Sequence, residues 1–218
     1  MCSLTIVVLT SVLLSQSGTG EDVAPVTVTL ELVNGFRLGR NVDLLNGHGL
    51  DLRARVRTAD GSQSERPVSW KVSAPTAVSL EPSADGQAKI KALQDIFDAP
   101  DGREPRATVT ACVGASCAAL EVVCLPDVNG PWDIFLKFTI PHTEERHSAF
   151  VQTGRIIKFE VEPGKIATLR LEGRKIRLVD GGGIVTVFDG FLYDRKSGGG
   201  KRWESVWGFG GSWTAKRK

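Results

Sequence analysis

The sequence predicts an all-β protein in which a β-sandwich is followed by a small antiparallel up-and-down β-barrel. Valine and threonine recur in short runs, which favours strands over helices. Apolar and polar residues alternate with a period of two in most of these runs, as in half-buried strands. Turn-forming residues, many of them among the 24 glycines, separate the runs. A length of 218 residues suits one or two domains, and a hydrophobic share of 41% is typical of folded rather than disordered chains.

The N-terminus is typical of an export signal. Residues 4–14 form a continuous apolar run that is too short to span a bilayer. Small polar residues follow, and Ser15 and Ser17 suit a signal-peptidase cleavage site. No basic residue precedes the run, and a hydrophobic first strand is the alternative interpretation. Because the run is continuous rather than alternating, we predict a signal peptide at residues 1–20 and a secreted or cell-envelope location.

Residues 26–125 predict the sandwich, and we assign the domain to residues 24–126. The short strand-like runs number seven, with turn signals between them, which is the pattern of a sandwich of about 100 residues. Trp70 lies in one of these runs and is expected to pack between the sheets. Residues 95–105 read as a long loop, and residues 125–131 read as a short linker.

The order of these runs resembles the bacterial immunoglobulin-like (Ig-like) domains of surface and secreted proteins. The resemblance implies an Ig-like sandwich that acts as a spacer or a protein-binding unit. It covers about half of the chain, and the 95–105 insertion and the cysteine-flanked hairpin depart from the family pattern. The matching residues are Leu52, Ala54, Val56, Asp60, Gly61, Val68, Trp70, Ala77, Val78, Gly86, Ile90, Ala107, Val109, Thr110 and Ala111.

Three cysteines lie beyond the predicted signal peptide. Cys112 and Cys117 flank four residues between two strand-like runs, which places them opposite each other across a hairpin. Since export permits disulfides, we predict a Cys112–Cys117 bridge. No second cysteine pair is present to complete a zinc site. Cys124 is expected to be buried as a small apolar residue.

Residues 130–218 show the most regular alternation and are assigned to the barrel. The resulting sheet is apolar on one face and charged on the other, and closing it into a barrel removes its edges. The predicted turns include residues 163–164, 180–183, 189–190 and 197–200. The glycine triplets 181–183 and 198–200 are interpreted as hairpin turns rather than phosphate loops, because neither lies between a strand and a helix start.

The two ends of this region resemble the lipocalin-like and avidin-like barrels of exported bacterial proteins. The resemblance rests on residues 130–132, 151–154 and 211–217, which read GPW, VQTG and GSWTAKR. It covers about 85 residues and implies an up-and-down barrel. The segment is shorter than a full lipocalin.

The aromatic residues near the C-terminus are the best candidates for ligand binding. Trp203 and Trp207 share parity, and Trp213 follows in the last strand. These three tryptophans predict either a pocket for a small apolar ring at one mouth of the barrel or a plug that fills a narrow barrel.

No motif for catalysis, nucleotide binding or metal binding occurs in the sequence, so we predict no enzyme activity, no cofactor and no metal site. His142, His147 and Glu144 are interpreted as a solvated hairpin tip rather than metal ligands. A calcium site is the lesser alternative for the carboxylates of the long loop, which are Asp98, Asp101 and Glu104.

The charge is unevenly distributed along the chain. Residues 132–218 hold 16 basic and 10 acidic residues, whereas residues 1–131 hold 11 and 15. The basic C-terminal half is compatible with an anionic glycan or an envelope surface as partner, although basic residues are also common on the solvent-exposed face of small barrels. We predict an exported, non-catalytic binding or adhesion module for the cell surface, or alternatively a carrier of a small apolar ligand. A protein, a glycan or a small apolar molecule is the expected partner, and nucleic acid is not. Oligomeric state is left open.

Overall fold

The computed structural model describes residues 26–83, 85–138, 143–180, 186–204 and 210–218. The described chain is all-β, which confirms the predicted class. No helix in this part of the chain is long and apolar enough to cross a membrane. The first eight strands form the sandwich: β1 (Val26–Leu32), β2 (Asn41–Leu45), β3 (Gly49–Thr58), β4 (Ser69–Val72), β5 (Val78–Pro82), β6 (Gln87–Ala92), β7 (Arg106–Val113) and β8 (Ser116–Leu125).

Two four-stranded sheets make up the sandwich, with strand orders β1-β3-β6-β5 and β2-β8-β7-β4. Alternate residues of each strand point into the space between the sheets, and Leu52, Ile90, Val109 and Val122 are fully buried there. Trp70 packs against this core, as expected. β2, which pairs in parallel with β8, is not predicted from the sequence, because its five residues of mixed polarity show no clear period.

The last eight strands close into an antiparallel barrel in which consecutive strands pair and β16 returns to β9. They are β9 (Gly130–Phe138), β10 (Thr143–Thr153), β11 (Ile156–Glu162), β12 (Lys165–Glu172), β13 (Lys175–Asp180), β14 (Thr186–Asp194), β15 (Ser197–Glu204) and β16 (Gly210–Arg217). The predicted one-faced alternation is confirmed, since Trp132, Ile134 and Leu136 all point into the barrel core.

Two predicted turns are wrong, because their glycines lie in the barrel wall. Residues 189–190 lie inside β14 and residues 197–200 begin β15, while residues 181–183 lie outside the described chain. A Cβ atom on Gly190 would come within 2.7 Å of Cζ2 of Trp213, and one on Gly200 would overlap the backbone of Asp189 and Gly190. These positions therefore need glycine for close backbone approach and for the indole ring, rather than for a turn.

Two further predictions about loops are corrected. Glu145 and His147 lie within β10, which pairs with β9 from Thr143 to Phe150, so this segment is a strand and not a hairpin tip. His142 lies outside the described chain. The linker is also shorter than predicted, because Leu125 ends β8 and Gly130 begins β9. Val128 in the middle of the linker is fully buried in the barrel core, so the connection is packed rather than free.

Candidate functional site

The predicted disulfide is present. Cys112 and Cys117 are directly opposite each other on β7 and β8, with a Cα–Cα distance of 4.1 Å. The strands extend one residue further than predicted on each side, so Gly114 and Ala115 alone form the turn, and Gly114 has the positive φ that such a turn requires. Cys124 is buried, and burial raises the pKa of its thiol to about 11, as suits an inert core residue.

Of the three predicted ligand-binding tryptophans, the structure describes the side-chain environment of Trp213. Trp213 is buried in the barrel core. The backbone of Trp203 pairs with Val187 and Gly210. Trp203 is an odd number of residues from Gly200, the β15 residue that pairs with Trp213, so the positions of Trp203 and Gly200 belong to opposite faces of the strand. Trp207 lies outside the described residues. Their binding role stays a prediction.

Aromatic rings fill much of the described barrel interior. Five rings follow one another across it, with consecutive centroids 4.9 to 6.1 Å apart: Trp132, Phe150, Phe159, Phe188 and Trp213. Trp132 donates its Nε1 hydrogen to the carbonyl oxygen of Val128 at 2.9 Å. In the described part of the chain, Nε1 of Trp213 is buried and lacks a hydrogen-bond partner. This end of the interior therefore contains an unused donor within an otherwise apolar core.

The outer wall of the barrel carries exposed aromatic side chains. Phe135, Phe191 and Tyr193 are 44%, 52% and 59% exposed, although most large apolar side chains of the barrel face inward. Phe135 pairs with Thr214, Thr214 pairs with Gly199, and Gly199 pairs with Phe191, so these four residues form one row across β9, β16, β15 and β14. We refer to Phe135, Thr214, Gly199, Phe191 and Tyr193 as the aromatic surface.

Phe135 and Phe191 stand at the two ends of this row on the outer, convex wall of the barrel. Phe135 and Phe191 are separated by three strand spacings, or about 14 Å along the sheet. Only a threonine and a glycine lie between them, and a Cβ atom on Gly199 would come within 2.8 Å of the Tyr193 hydroxyl. The tyrosine hydroxyl therefore lies over this glycine, and it and the hydroxyl of Thr214 are the polar groups between the two phenylalanines.

Basic residues border the aromatic surface. In the next row along the strands, Ser212 pairs with Lys137 on one side and with Lys201 on the other, and all three are exposed. Lys216 lies on the opposite side of the aromatic surface. Lys175 pairs with Phe191 at the far end of the row, and its Nζ lies 3.9 Å from Oδ1 of Asp189, which pairs in turn with Lys201. The barrel's excess of basic residues is therefore concentrated in part beside exposed aromatic rings, where it favours a partner with negative charge.

The long loop of the sandwich contacts the barrel through a buried ion pair. Arg195, in the turn between β14 and β15, donates from Nε to Oδ2 of Asp95 at 2.6 Å and from Nη2 to Oδ1 at 3.0 Å. Asp95 is fully buried and also accepts hydrogen bonds from Nδ2 of Asn46 and the amide of Phe97. Asp98 accepts a further short hydrogen bond from Nη2 of Arg195. These bonds raise the pKa of Arg195 and lower the pKa of Asp98.

A second ion pair reinforces this contact. Arg155, in the turn between β10 and β11, binds both carboxylate oxygens of Glu104, at 2.7 and 2.8 Å. The amide of Gly173, in the turn between β12 and β13, donates to the same carboxylate at 2.9 Å. The arginine therefore lowers the pKa of Glu104. Asp43 on β2 lies 3.4 Å from Nε of Arg155.

Three turns at one end of the barrel thus meet the sandwich. The ring of Phe97 lies against the turn between β12 and β13, where Cζ of Arg174 is 4.8 Å from the ring centroid. The loop carboxylates that were weighed as calcium ligands are not gathered around a common point. Asp98 and Glu104 bind different arginines, and Asp101 accepts the amide of Arg103. The loop serves to join the two parts of the molecule.

One group of possible metal ligands occurs in the described chain, and it differs from the set weighed from the sequence. Single ligand atoms of Asp133, Glu145 and His147 lie within 4.8 Å of one another. Nζ of Lys218 is 3.0 Å from Oδ1 of Asp133, and Nδ1 of His147 is 2.5 Å from the same oxygen. These hydrogen bonds, that of His147 first, lower the pKa of Asp133. The ammonium group of Lys218 already neutralises the Asp133 carboxylate, so we interpret these three side chains as an exposed ion-pair network and not as a metal site.

Comparisons with known proteins identify no family for the chain. No family model matches it, and no curated protein matches it. Similar solved structures include domains 4 and 5 of the S-layer protein SbsC, at 11% identity and a TM-score of 0.36 over 47% of this chain. Domains 5–6 of SbsC match 88% of this chain at 10% identity and a TM-score of 0.37. The chain spans 54% of the first structure and 83% of the second. At this similarity the matches define neither a family nor a function.

Proposed function

We propose that the chain is an exported, non-catalytic binding module. Its aromatic surface contacts a glycan, and its sandwich holds the barrel in a fixed orientation. The observation that carries the proposal is the row of exposed rings across the barrel wall. A closed barrel needs no apolar residues on its outer face, so two exposed phenylalanines in one row, with an exposed tyrosine beside one of them, favour a contact surface there.

The shape and polarity of the aromatic surface favour sugar rings. A pyranose ring has apolar faces that suit aromatic side chains, and its hydroxyl groups suit the hydroxyls of Thr214 and Tyr193. The span of about 14 Å between the two phenylalanines is long enough for more than one sugar ring. Lys137 and Lys201 stand beside it, so acidic sugars are expected to bind more tightly than neutral ones.

The sandwich–barrel contact supports the second part of the proposal. Two ion pairs, one of them to a fully buried aspartate, join the long loop to turns of the barrel. The linker is packed as well: Val128 donates to Oε1 of Gln152 at 2.9 Å, and Gln152 donates its amide to Oδ1 of Asn129 at 2.7 Å. A barrel held in this way presents its aromatic surface at a defined angle to the sandwich.

The strand order supports the Ig-like assignment of the sandwich. If β2 is set aside, the seven remaining strands correspond in chain order to strands A to G of an immunoglobulin domain. The observed sheets β1-β3-β6-β5 and β4-β7-β8 are then ABED and CFG. Trp70 on β4 takes the place of the core tryptophan on strand C. Such domains commonly serve as spacers, which fits the proposed role.

Calorimetric titration with neutral and acidic oligosaccharides tests the proposal. We expect saturable binding that weakens by about tenfold or more when Phe135→Ser and Phe191→Ser are combined, since central aromatic contacts commonly contribute over 1 kcal/mol each. Val151→Ser with Val179→Ser is the matched control, because both valines are exposed on other strands of the wall. Equal affinity of both double variants would exclude the aromatic surface as the site. A panel without any binding sugar would reject the glycan.

A carrier function is the second candidate, and the unpartnered Nε1 of Trp213 is the observation that favours it. A small apolar ligand with one acceptor atom could use this donor. Saturable quenching of tryptophan fluorescence by such a ligand, with about tenfold weaker binding to Trp213→Phe, would support the carrier. Absence of saturable quenching would reject it. The five rings that fill the interior favour the glycan-binding module instead.

A further inference from the structure

A groove in the sandwich collects arginine side chains, although residues 1–131 carry an excess of acids. The groove has a volume of about 1080 Å³ and lies between the edge strand β1, the segment after it and the start of β8. Arg55 and Arg57 reach it from alternate positions of β3, and Arg37 and Arg40 reach it from the segment before β2. We refer to these four residues and the groove that they line as the arginine groove.

The positive charge of the arginine groove is largely uncompensated. Glu31 is the one acidic residue in its lining. It is 6% exposed, and its Oε1 already accepts two hydrogen bonds from Arg55, at 2.9 and 3.2 Å. Within the described chain, no carboxylate forms an ion pair with Arg37, Arg40 or Arg57, which are all exposed. Three guanidinium groups therefore remain for an anionic ligand.

Backbone hydrogen-bonding groups also face the arginine groove. β1 is the edge strand of its sheet, and β3 pairs with one side of it only. Leu32 donates its amide away from β3, to the carbonyl oxygen of Phe36. Because successive residues of a strand alternate in direction, the peptide groups of Val28 and Leu30 point to the same side. In the described chain, the bridge between Glu31 and Arg37 is the one pairing on that side.

The opposite wall of the groove is a second strand segment with an open edge. Ala118 and Ala119 of β8 line it. β2 pairs with β8 only from Glu121 onward, so the beginning of β8 has a neighbour on one side alone. The side chains of the two alanines are small, so they narrow the groove little beside the edge of β1.

We propose that the arginine groove binds an extended acidic peptide of a partner protein, which adds to the free edge of β1 as a further strand. Alternate side chains of an extended peptide repeat about every 6.7 Å, as do Arg55 and Arg57 along β3. Arg55 already crosses from β3 to Glu31 on β1, so an arginine of β3 can reach the edge strand. Arg37 and Arg40 would bind acidic side chains from the other side, and exposed Phe36 adds an apolar contact. This site is independent of the glycan proposed for the barrel.

A pair of peptides separates strand addition from simple charge attraction. One is a fluorescent seven-residue peptide with glutamate at alternate positions and threonine between. The other is the same peptide with its amides methylated at alternate residues, which removes the hydrogen bonds to one edge. We expect the first to bind the full protein, more weakly at higher salt, and the second to bind at least about tenfold more weakly. Amide exchange at Val28 and Leu30 should slow on binding.

Variants locate the site. Arg37→Ser with Arg57→Ser should weaken peptide binding by about 10- to 100-fold, as expected for lost hydrogen bonds between charged groups. Arg103→Ser with Arg177→Ser is the matched control, since both arginines are exposed elsewhere, and its affinity should stay within about twofold. The barrel variant Phe135→Ser with Phe191→Ser should leave peptide binding unchanged, whether or not the glycan proposal holds.

Three outcomes would overturn the proposal. If the methylated peptide binds as well as the parent peptide, no strand is added. If a sulfated oligosaccharide or a single-stranded oligonucleotide binds the groove more tightly than the peptide, another polyanion is the ligand. If both double arginine variants bind the peptide equally, the binding site lies outside the arginine groove.

Discussion

Replacing Arg195 by alanine is expected to destabilise the protein and to uncouple the barrel from the sandwich. The guanidinium group forms two hydrogen bonds with fully buried Asp95 and one with Asp98. Alanine removes all three, while Asp95 stays buried beneath the long loop. Its remaining donors are Nδ2 of Asn46 and the amide of Phe97, and neither carries a positive charge.

The magnitude follows from the burial of the two partners. Removing one partner of a buried ion pair destabilises a protein by about 3–5 kcal/mol, because the other charge is left unpaired. The side chain of Arg195 is 37% exposed, so water will solvate part of the vacated site, and we expect a loss near the lower limit, about 3 kcal/mol. For a domain pair of this size the unfolding midpoint should fall by roughly 6–12 °C.

Calorimetry and urea unfolding followed by tryptophan fluorescence measure the effect. We expect a single transition for the parent protein and two separable transitions for Arg195→Ala. Arg177→Ala, at an exposed barrel arginine, should change the free energy of unfolding by less than about 0.5 kcal/mol. Asp95→Asn combined with Arg195→Met should recover much of the loss, since neither charge remains. A double variant as unstable as Arg195→Ala would refute the unpaired charge as the cause.

Three further predictions concern stability. The pKa of Glu104 is lowered in the folded protein, so the ionised carboxylate stabilises the fold fully above its ordinary pKa, and this contribution is lost as pH falls through the lowered value. Urea unfolding between pH 3 and pH 7 measures this pH dependence, and the variant Glu104→Gln should lack it. Gly200→Ala should cost about 1–3 kcal/mol because a Cβ atom overlaps the facing strand, whereas Gly39→Ala, with its nearest neighbour 3.9 Å away, should be nearly neutral in the same assay. Reducing the Cys112–Cys117 bridge should lower stability by about 2 kcal/mol, given the short loop it closes, and a thermal melt with and without reductant measures this loss.

Strand positions could be predicted from the sequence because their period is local. Trp132, Ile134 and Leu136 alternate with polar residues over a few positions, and this pattern alone identifies the buried face. The Cys112–Cys117 bridge is similarly local, since a hairpin brings together residues that are five apart. In both cases the residues that interact are only a few positions apart in the sequence.

The glycines of the barrel wall show where composition is misleading. A run of three glycines ordinarily indicates a turn, because glycine adopts turn conformations without strain. Here Gly190 and Gly200 face each other across two strands, and the indole ring of Trp213 lies against Gly190 from a third. The reason for these glycines is thus a contact between strands, which neighbouring residues in the sequence do not reveal.

The sandwich–barrel contact was beyond the reach of sequence patterns for the same reason. Asp95 and Arg195 are 100 residues apart, and Glu104 and Arg155 are 51 apart. The one available signal was the length of the 95–105 loop, which exceeds the usual link of the resembled family. A long loop with several carboxylates next to a basic neighbouring domain could have suggested an ion-paired contact instead of a calcium site.

The two proposed sites use the two kinds of surface that this architecture provides. A closed barrel pairs all of its strands, so its wall can bind a partner only with side chains, and the aromatic surface lies on such a wall. The sandwich keeps open edges, so its backbone can pair with an added strand, and the arginine groove lies at such an edge. Because the sandwich–barrel contact involves turns at one end of the barrel, it covers neither surface. Loss of either site by mutation should therefore leave the affinity of the other unchanged, provided that the contact through Arg195 and Arg155 is intact.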